Sequence, residues 1–267
     1  MNLFRWVPRR RIAGDIMGFT RTKEDCEYLH LQHTFEAWFQ SSLGRVLLSD
    51  QRRKIDGVIG RMFGYHQLEM LVSHRFPMGN SSSLGHKIVT VPEWQSDMPE
   101  NTLVAEPHEL GLCHDSIDLA ILHHTLDYTV SPHQALREAS RVVKSSGHLL
   151  IIGFNPMSMW GVRKLVSRKK AAPWNGRFTS GHRVEDWLKL LDFEITSADH
   201  HFLRPPVQNY RLLERFAFAD KFDNGKFPMG AYYMILAKKQ VGCSISAKPK
   251  WKETNVIGLP VANRMKP

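Results

Sequence analysis

Length, composition and cysteine usage exclude several classes of protein. The chain has 267 residues, 42% of them hydrophobic, so it is long enough to bury one large core or two small ones. Its three cysteines lie far apart without metal-ligand spacing, which argues against a disulfide framework or a zinc knuckle and favours a reducing compartment. No apolar run reaches the roughly 18 residues of a membrane span, and arginines stand where a signal peptide would be apolar. We therefore expect a cytoplasmic chain without a transmembrane segment.

The formal net charge of +10 bears on the partners of the protein and not on its fold. The basic residues concentrate at 9–11, at 163–170 and in the tail at 238–266. Runs of this kind are usually solvated faces or flexible ends. They would also raise encounter rates with phosphates, acidic proteins or anionic lipid, so both interpretations stay open.

The first half of the chain predicts two helices followed by buried strands. Apolar residues recur at helical spacing between residues 31 and 63, which predicts two amphipathic helices. The second helix stops at Gly64. The next five apolar runs lie at 66–72, 87–91, 102–105, 117–123 and 148–154. Their near-continuous apolarity is typical of parallel strands that are covered on both faces.

The second half alternates helices and strands. The apolar residues of 132–143 lie on one stripe and predict a helix. Ser131 is its expected N-cap, and a turn at 145–147 ends it. With its flanking strands this helix predicts a βαβ unit with a right-handed crossover. The remaining predictions are a helix at 184–191, a strand through 193–195, a helix at 209–219, a strand at 231–237 and an extended tail after Gln240.

Two stretches in this region carry a family resemblance. The first is an acidic residue, Glu106, followed by a short turn and by Ser116-Ile117-Asp118-Leu119; the second contains Arg137-Glu138 and Arg141-Val142-Val143-Lys144 before Ser146-Gly147-His148. In this order the motifs resemble the methyltransferase type 11 branch of the class I S-adenosylmethionine (SAM) dependent methyltransferases.

The resemblance implies a Rossmann-like α/β fold. We expect a seven-stranded, mostly parallel sheet with an antiparallel last strand and helices on both faces. The methyltransferase-like domain is placed at residues 31–240, between an N-terminal extension at 1–30 and a basic tail at 241–267. In the family Asp118 is largely structural, and Arg137, Glu138 and Arg141 are spaced as neighbours on one helix face.

The resemblance also implies where SAM would bind. In an open parallel sheet ligands bind outside the carboxyl ends of the strands, and Glu106 follows the predicted third strand. An acidic residue here contacts the adenine amino group in the family, with Pro107 and His108 framing the ring. Glu93, near the end of the second strand, is expected to hold the ribose hydroxyls. The alternative for Glu106 is that it only caps a turn.

The loop after the first strand departs from the family pattern. The family has a Gly-x-Gly-x-Gly turn, because glycines let backbone N–H groups approach the methionine part of SAM. Here Glu69 is followed by no glycine until Gly79, and the connections at 73–85 and 92–101 leave little room for helices. Two interpretations stay open: SAM binds through Glu69, the other acids and a rebuilt loop, or the site has decayed and the fold serves binding alone.

Polar residues after the fourth and fifth strands are candidates for the acceptor side. Methyl transfer from a sulfonium is an in-line displacement that needs orientation, and a base when the nucleophile starts protonated. We predict His124 as that base, Asn155 as a second catalytic residue and His123 as a cofactor contact. Alternatively, one histidine packs inward and the other caps a strand. No metal site is predicted, since the pair lacks a further Cys or His at the usual spacing.

The predicted function is methyl transfer from SAM to an unidentified small-molecule or lipid-like acceptor. The glycine-poor loop favours an alternative, an inactive methyltransferase-fold adaptor for a protein partner. The charge and Trp251 in the basic tail favour another, an RNA methyltransferase. Nucleic acid is less favoured, because Asn155-Pro156-Met157-Ser158 departs from the base-binding Asn-Pro-Pro-Tyr-like tetrad.

Residues 153–161 and 173–178 resemble a bacterial subgroup of these methyltransferases, and no substrate follows from that resemblance. Between them, Met157, Met159, Trp160 and Leu165 stand beside basic residues. This segment predicts a lid over the pocket, a helix packed on the core, or a helix on a membrane surface.

Overall fold

The computed structural model describes residues 23–167, 172–216, 218, 223, 225 and 227–241. The basic residues 9–11 and 168–170, and the tail from residue 242 with Trp251, lie outside the described residues. The helices are α1 (Lys23–Phe39), α2 (Ser42–Ile59), α3 (Thr125–Tyr128), α4 (Pro132–Val142), α5 (Met159–Val166), α6 (Gly181–Leu190) and α7 (Tyr210–Arg215). The strands are β1 (His66–Met70), β2 (His86–Val91), β3 (Thr102–Val104), β4 (Ile117–His123), β5 (Val143–Phe154), β6 (Phe193–His201) and β7 (Tyr232–Lys239).

The strands form one sheet in the order β3-β2-β1-β4-β5-β7-β6. Strands β1 to β5 are parallel, whereas β7 runs antiparallel between β5 and β6. In β1, Glu69 pairs with Val89 of β2 on one side and with Ile121 of β4 on the other. The strand order therefore reverses direction at β1, and the predicted Rossmann-like sheet with an antiparallel last strand is confirmed.

Helices cover both faces of the sheet. Successive side chains of a strand point to opposite faces, so Leu119 and Ile121 of β4 join a core with α1 and α2, while Ala120 and Leu122 join a core with α4 and α6. The two apolar stripes predicted between residues 31 and 63 are the buried faces of α1 and α2, which pack on the sheet.

The first two crossovers contain no helix. Residues 71–85 connect β1 to β2 and residues 92–101 connect β2 to β3, as turns and irregular chain. This agrees with the prediction from the Pro, Gly and Ser content of the first loop. Parallel crossovers usually need a covering helix, and here α1 and α2, which precede the sheet in the chain, contribute to the core on that face.

Two local predictions were wrong, and a third holds only in part. The turn expected at 145–147 lies inside β5, where Ser146 has a positive φ of 67° and the pairing with β4 is irregular between Ile117 and Leu119. The chain thus passes from α4 into β5 through a bulge. Ser131 is the N-cap residue of α4, as predicted, but it makes no side-chain capping bond, since its ψ of 76° lies outside the extended conformation typical of an N-cap. Helix α7 ends at Arg215 and is shorter than expected.

The segment with exposed apolar residues forms α5. Trp160 is buried in the core, which agrees with the interpretation of a helix packed on the core, while Leu165 is 86% exposed. Within the described part of the chain, no helix has the length and apolarity needed to cross a membrane.

Candidate functional site

The predicted site residues lie along the carboxyl edge of the sheet. This edge is where an open α/β sheet binds ligands, above all where the strand order reverses. The reversal here falls between β1 and β4, and the residues after β2, β3 and β5 flank it. Each strand end presents a different set of polar contacts.

At the end of β1, Glu69 is buried and faces the following loop. Its carboxylate accepts hydrogen bonds from the backbone N–H of Met78 at 2.9 Å and from Nε2 of Gln67 at 2.7 Å. The loop also approaches β1 closely, because a Cβ added to Gly79 would lie 1.8 Å from Gln67 Nε2 and 2.5 Å from Glu69 Oε1. The described contacts of Glu69 therefore hold the loop, and its predicted contact with SAM stays a prediction.

Helix α1 covers the residues that replace the glycine turn. Gln32 Nε2 donates to the backbone oxygen of Val72 at 2.6 Å. Glu36 accepts hydrogen bonds from Ser73 Oγ and from the guanidinium of Arg75, both at 2.9 Å. Gln32 and Glu36 are buried, so α1 is joined to this loop by polar contacts as well as by apolar packing.

The ends of β2 and β3 carry more accessible acids. Glu93 lies 3.0 Å from Nε2 of His33 in α1, and its side chain is 30% exposed. Glu106 lies 3.3 Å from Nε2 of His108 and is 44% exposed, while Pro107 between them is buried. Both carboxylates are thus partly exposed, and their oxygens are hydrogen-bond acceptors.

At the end of β4, a chain of hydrogen bonds joins four fully buried side chains. Gln51 of α2 accepts from Nε2 of His123 at 2.9 Å and donates to Nε2 of His124 at 2.8 Å. His124 has a positive φ of 55° and donates from Nδ1 to Asp127 Oδ2 at 2.7 Å. Asp127 Oδ2 also accepts from the backbone N–H of Phe154 at 3.0 Å. With this orientation of the amide, the two neutral histidines carry their protons on opposite nitrogens.

Burial sets the protonation states of these hydrogen-bonded side chains. Desolvation lowers the pKa of His124 to about 3. Desolvation also lowers the pKa of His123 well below its ordinary value, and the nearby His124 and Arg52 lower it further. Desolvation also raises the pKa of Asp127 well above its ordinary value, against the hydrogen bond from Phe154 and the charge of Lys164. Both histidines are therefore neutral at pH 7, and both nitrogens of His124 already have partners.

At the end of β5, Asn155 joins the strand to the turn before β7. Its amide donates to the backbone oxygens of Pro228 at 2.7 Å and Gly230 at 2.9 Å. Its Oδ1 accepts from the backbone N–H of Met157 at 3.0 Å. The amide is occupied by these contacts, and the predicted catalytic role of Asn155 stays a prediction.

The structure brings the predicted residues to one edge but not into one cavity. His123 and His124 pack against Phe39 and Phe154 inside the core, whereas Glu93 and Glu106 lie nearer the surface. Two cavities on the molecule, of about 380 and 630 Å³, are lined by other residues. The two partly exposed acids thus lie at the ends of β2 and β3, while α1 covers the loop after β1.

The sequence analysis missed the polar residues of α1 and α2 that complete this edge. Gln32, His33, Glu36 and Gln51 come from the first two helices, far from the strand ends in the chain. The sequence did contain a signal for α1. Gln32 and Glu36 are spaced one helical turn apart, and Gln32 shares a helix face with the apolar Phe35 and Phe39.

The strand order and the antiparallel β7 define the fold class of the protein. A family model described as a methyltransferase domain matches residues 89–151. The chain has the fold of the class I SAM-dependent methyltransferases, and this segment matches their type 11 domain. It belongs to the same family as an Escherichia coli (strain K12) relative, the uncharacterized protein YafS, which is 32% identical over 207 residues, or 77% of this chain and 81% of the relative.

Solved structures share the fold at low sequence identity. A SAM-dependent methyltransferase from Thermotoga maritima superposes with a TM-score of 0.58 at 19% identity, covering 79% of this chain and 100% of that chain. Another from Archaeoglobus fulgidus gives 0.54 at 16% identity, covering 78% and 99%. The [4+2]-cyclase SpnF gives 0.51 at 17% identity, covering 72% and 81%. These likenesses establish the fold alone.

Proposed function

We propose that this chain binds SAM and transfers its methyl group to a small-molecule or lipid-like acceptor. The observation that carries the proposal is the pair of partly exposed acids, Glu93 and Glu106, at the carboxyl ends of neighbouring parallel strands in a 3-2-1-4-5-7-6 sheet. Glu93 would accept from the ribose hydroxyls and Glu106 from the adenine amino group. Pro107 and His108 would border the ring.

The chain's own contribution to the reaction would be binding and orientation. SAM supplies an activated methyl group when bound, and an in-line displacement then depends mainly on alignment of the acceptor atom. His124 could take a proton from the acceptor only by giving up Gln51 or Asp127 as a partner. The site therefore suits an acceptor atom that is already deprotonated, and the predicted base role of His124 requires a rearrangement of this hydrogen-bonded chain.

The contacts of α1 support a second candidate, an inactive adaptor that keeps the fold. Gln32 and Glu36 form hydrogen bonds with the loop that replaces the glycine turn. The methionine part of SAM would otherwise meet backbone N–H groups at this loop. If α1 stays in place, the cofactor site is closed and the fold remains as a binding scaffold.

Calorimetric titration of the full chain with SAM and S-adenosylhomocysteine decides between these candidates. Saturable binding that is weakened at least tenfold by Glu106→Ala would support the cofactor site, since hydrogen bonds to a charged group contribute about 1.5–3 kcal/mol. Glu100→Ala is a matched control, because Glu100 is an exposed acid on the neighbouring β2–β3 connection. Absence of binding at millimolar cofactor would favour the adaptor.

A further inference from the structure

The larger cavity lies at the start of two helices on the carboxyl side of the sheet. Its volume is about 630 Å³, within the range of small-molecule sites. The first turns of α4 and α6 line it, together with α5 and the connection between α5 and α6. It also adjoins the buried, hydrogen-bonded side chains of the candidate site, because the backbone N–H of Arg177 donates to the backbone oxygen of Asp127 at 2.7 Å.

Three cationic side chains line this cavity. Arg177 is fixed by a hydrogen bond from its guanidinium to the backbone oxygen of Val130 at 2.8 Å, which leaves its other donors available. Lys164 donates to the backbone oxygen of Gly176 and lies 4.5 Å from the centre of the Phe178 ring. Arg183 is exposed at the start of α6. Among the described residues, none of these three cations lies within 4.0 Å of a carboxylate oxygen.

Two hydroxyl groups also line the cavity. Thr179 is only 9% exposed, and its hydroxyl makes no hydrogen bond to any other described residue. The hydroxyl of Ser131 makes no capping bond at the start of α4. Helix N-termini attract anions through their free N–H groups and the helix dipole. The hydroxyl of a buried threonine, two helix starts and three cations without a described carboxylate within 4.0 Å therefore converge on one cavity.

Aromatic side chains form the other part of the lining. Trp187 is half-buried and its ring lies 3.6 Å from that of His133, measured between centroids. Phe178 stacks on Phe154 of the core at 4.9 Å. Flat apolar surfaces beside cations suit a ligand that carries a flat apolar part next to its charge.

We propose that this cavity binds an organic anion, in which a phosphate or carboxylate group meets Arg177, Arg183 and Lys164 and a flat apolar part lies against Trp187 and Phe178. The identification of this anion with the methyl acceptor rests on the proposed function. Lys164 is half-buried and already donates to the backbone oxygen of Gly176, so the two arginines supply most of the attraction.

The test is calorimetric titration of the full chain with phenyl phosphate, benzoate, inorganic phosphate and phenol at one low ionic strength. We expect phenyl phosphate or benzoate to bind at least tenfold more tightly than neutral phenol, and phosphate alone to bind more weakly than phenyl phosphate. The stronger of the two aryl anions identifies the charged group. Loss of one charge-assisted hydrogen bond should weaken binding about tenfold in Arg177→Gln and in Arg183→Gln.

Matched variants keep the proposal falsifiable. Arg183→Gln removes an exposed side chain with no other described contact, so it should fold even where Arg177→Gln does not. Arg137→Gln removes the same charge from the exposed part of α4 and should change the affinity less than twofold. Absence of saturable binding by both aryl anions, or an equal loss in Arg137→Gln, would overturn the proposal. The same titrations repeated with S-adenosylhomocysteine report cofactor binding separately, so failure of the proposed function is distinguishable from failure of the anion site.

Discussion

Nε2 of Gln51 in α2 lies 2.8 Å from Nε2 of His124, which follows the end of β4. Both side chains are fully buried, and the same amide also bonds His123. One residue of an N-terminal helix therefore bonds Nε2 of two histidines at the sheet edge. This contact makes the stability of the domain depend on a polar group that lies far from the strands in sequence.

Replacing Gln51 with Ala should destabilise the fold by about 3 kcal/mol, since two buried ring nitrogens each lose a partner at about 1–3 kcal/mol. The free energy of unfolding in urea, followed by circular dichroism, measures the change. Gln40→Ala at the exposed end of α1 should alter stability by less than about 0.5 kcal/mol. A loss of under 1 kcal/mol in Gln51→Ala would contradict the importance of this amide.

The buried histidines should make stability fall as the pH falls. Burial keeps the pKa of His123 well below its ordinary value, so below about pH 6.5 the unfolded chain binds one proton more than the folded chain at this residue. His124 acts in the same direction, and Asp127, whose pKa burial raises, acts against them. Each additional proton bound by the unfolded state costs up to about 1.4 kcal/mol of stability per pH unit.

The contribution of His123 follows from a comparison of variants between pH 4.5 and 6, a window below the unfolded pKa of about 6.5. In His123→Gln the slope of unfolding free energy against pH should be flatter by about one proton. His182→Gln, on the exposed face of α6, should keep the slope of the original chain. Equal slopes in all three proteins would show that His123 does not stay neutral in the folded state.

The sequence predicted the sheet well because buried parallel strands leave a direct signal, as in the apolar run of β4. It could not predict the bulge at Ser146, since Ser-Ser-Gly is equally typical of a turn, and the bulge follows from the pairing of Val143 and His148 with β4 on either side of it. The contacts of Gln32 and Gln51 were missed for a different reason. Helical periodicity assigns polar positions to solvent, and their burial depends on which surface the helix covers.

Glu93 offers a test of the cofactor site that is independent of Glu106. Under the proposed function, Glu93→Gln should lower the affinity for S-adenosylhomocysteine about tenfold, because charge-assisted hydrogen bonds are roughly twice as strong as neutral ones. The thermal midpoint without ligand should change little, since Glu93 is partly exposed. Glu100→Gln carries the same charge change on the same connection. Similar affinities in both variants would place the ribose elsewhere.

Gly79 should be intolerant of a side chain. The Cβ of Ala would lie 1.8 Å from Gln67 Nε2, and that amide cannot move freely because it is buried and bonded to Glu69. Overpacking of this kind costs about 1–3 kcal/mol, so we expect Gly79→Ala to lower the free energy of unfolding by about 2 kcal/mol.

Gly57 provides the opposite expectation within the same molecule. It lies in α2 with nothing within 4 Å of an added Cβ, so Gly57→Ala should stabilise the chain by about 0.5–1 kcal/mol through helix propensity. Urea unfolding of both variants under one set of conditions gives the comparison. If Gly79→Ala did not lower the free energy of unfolding, the close approach of the loop to Gln67 and Glu69 would not describe the protein in solution.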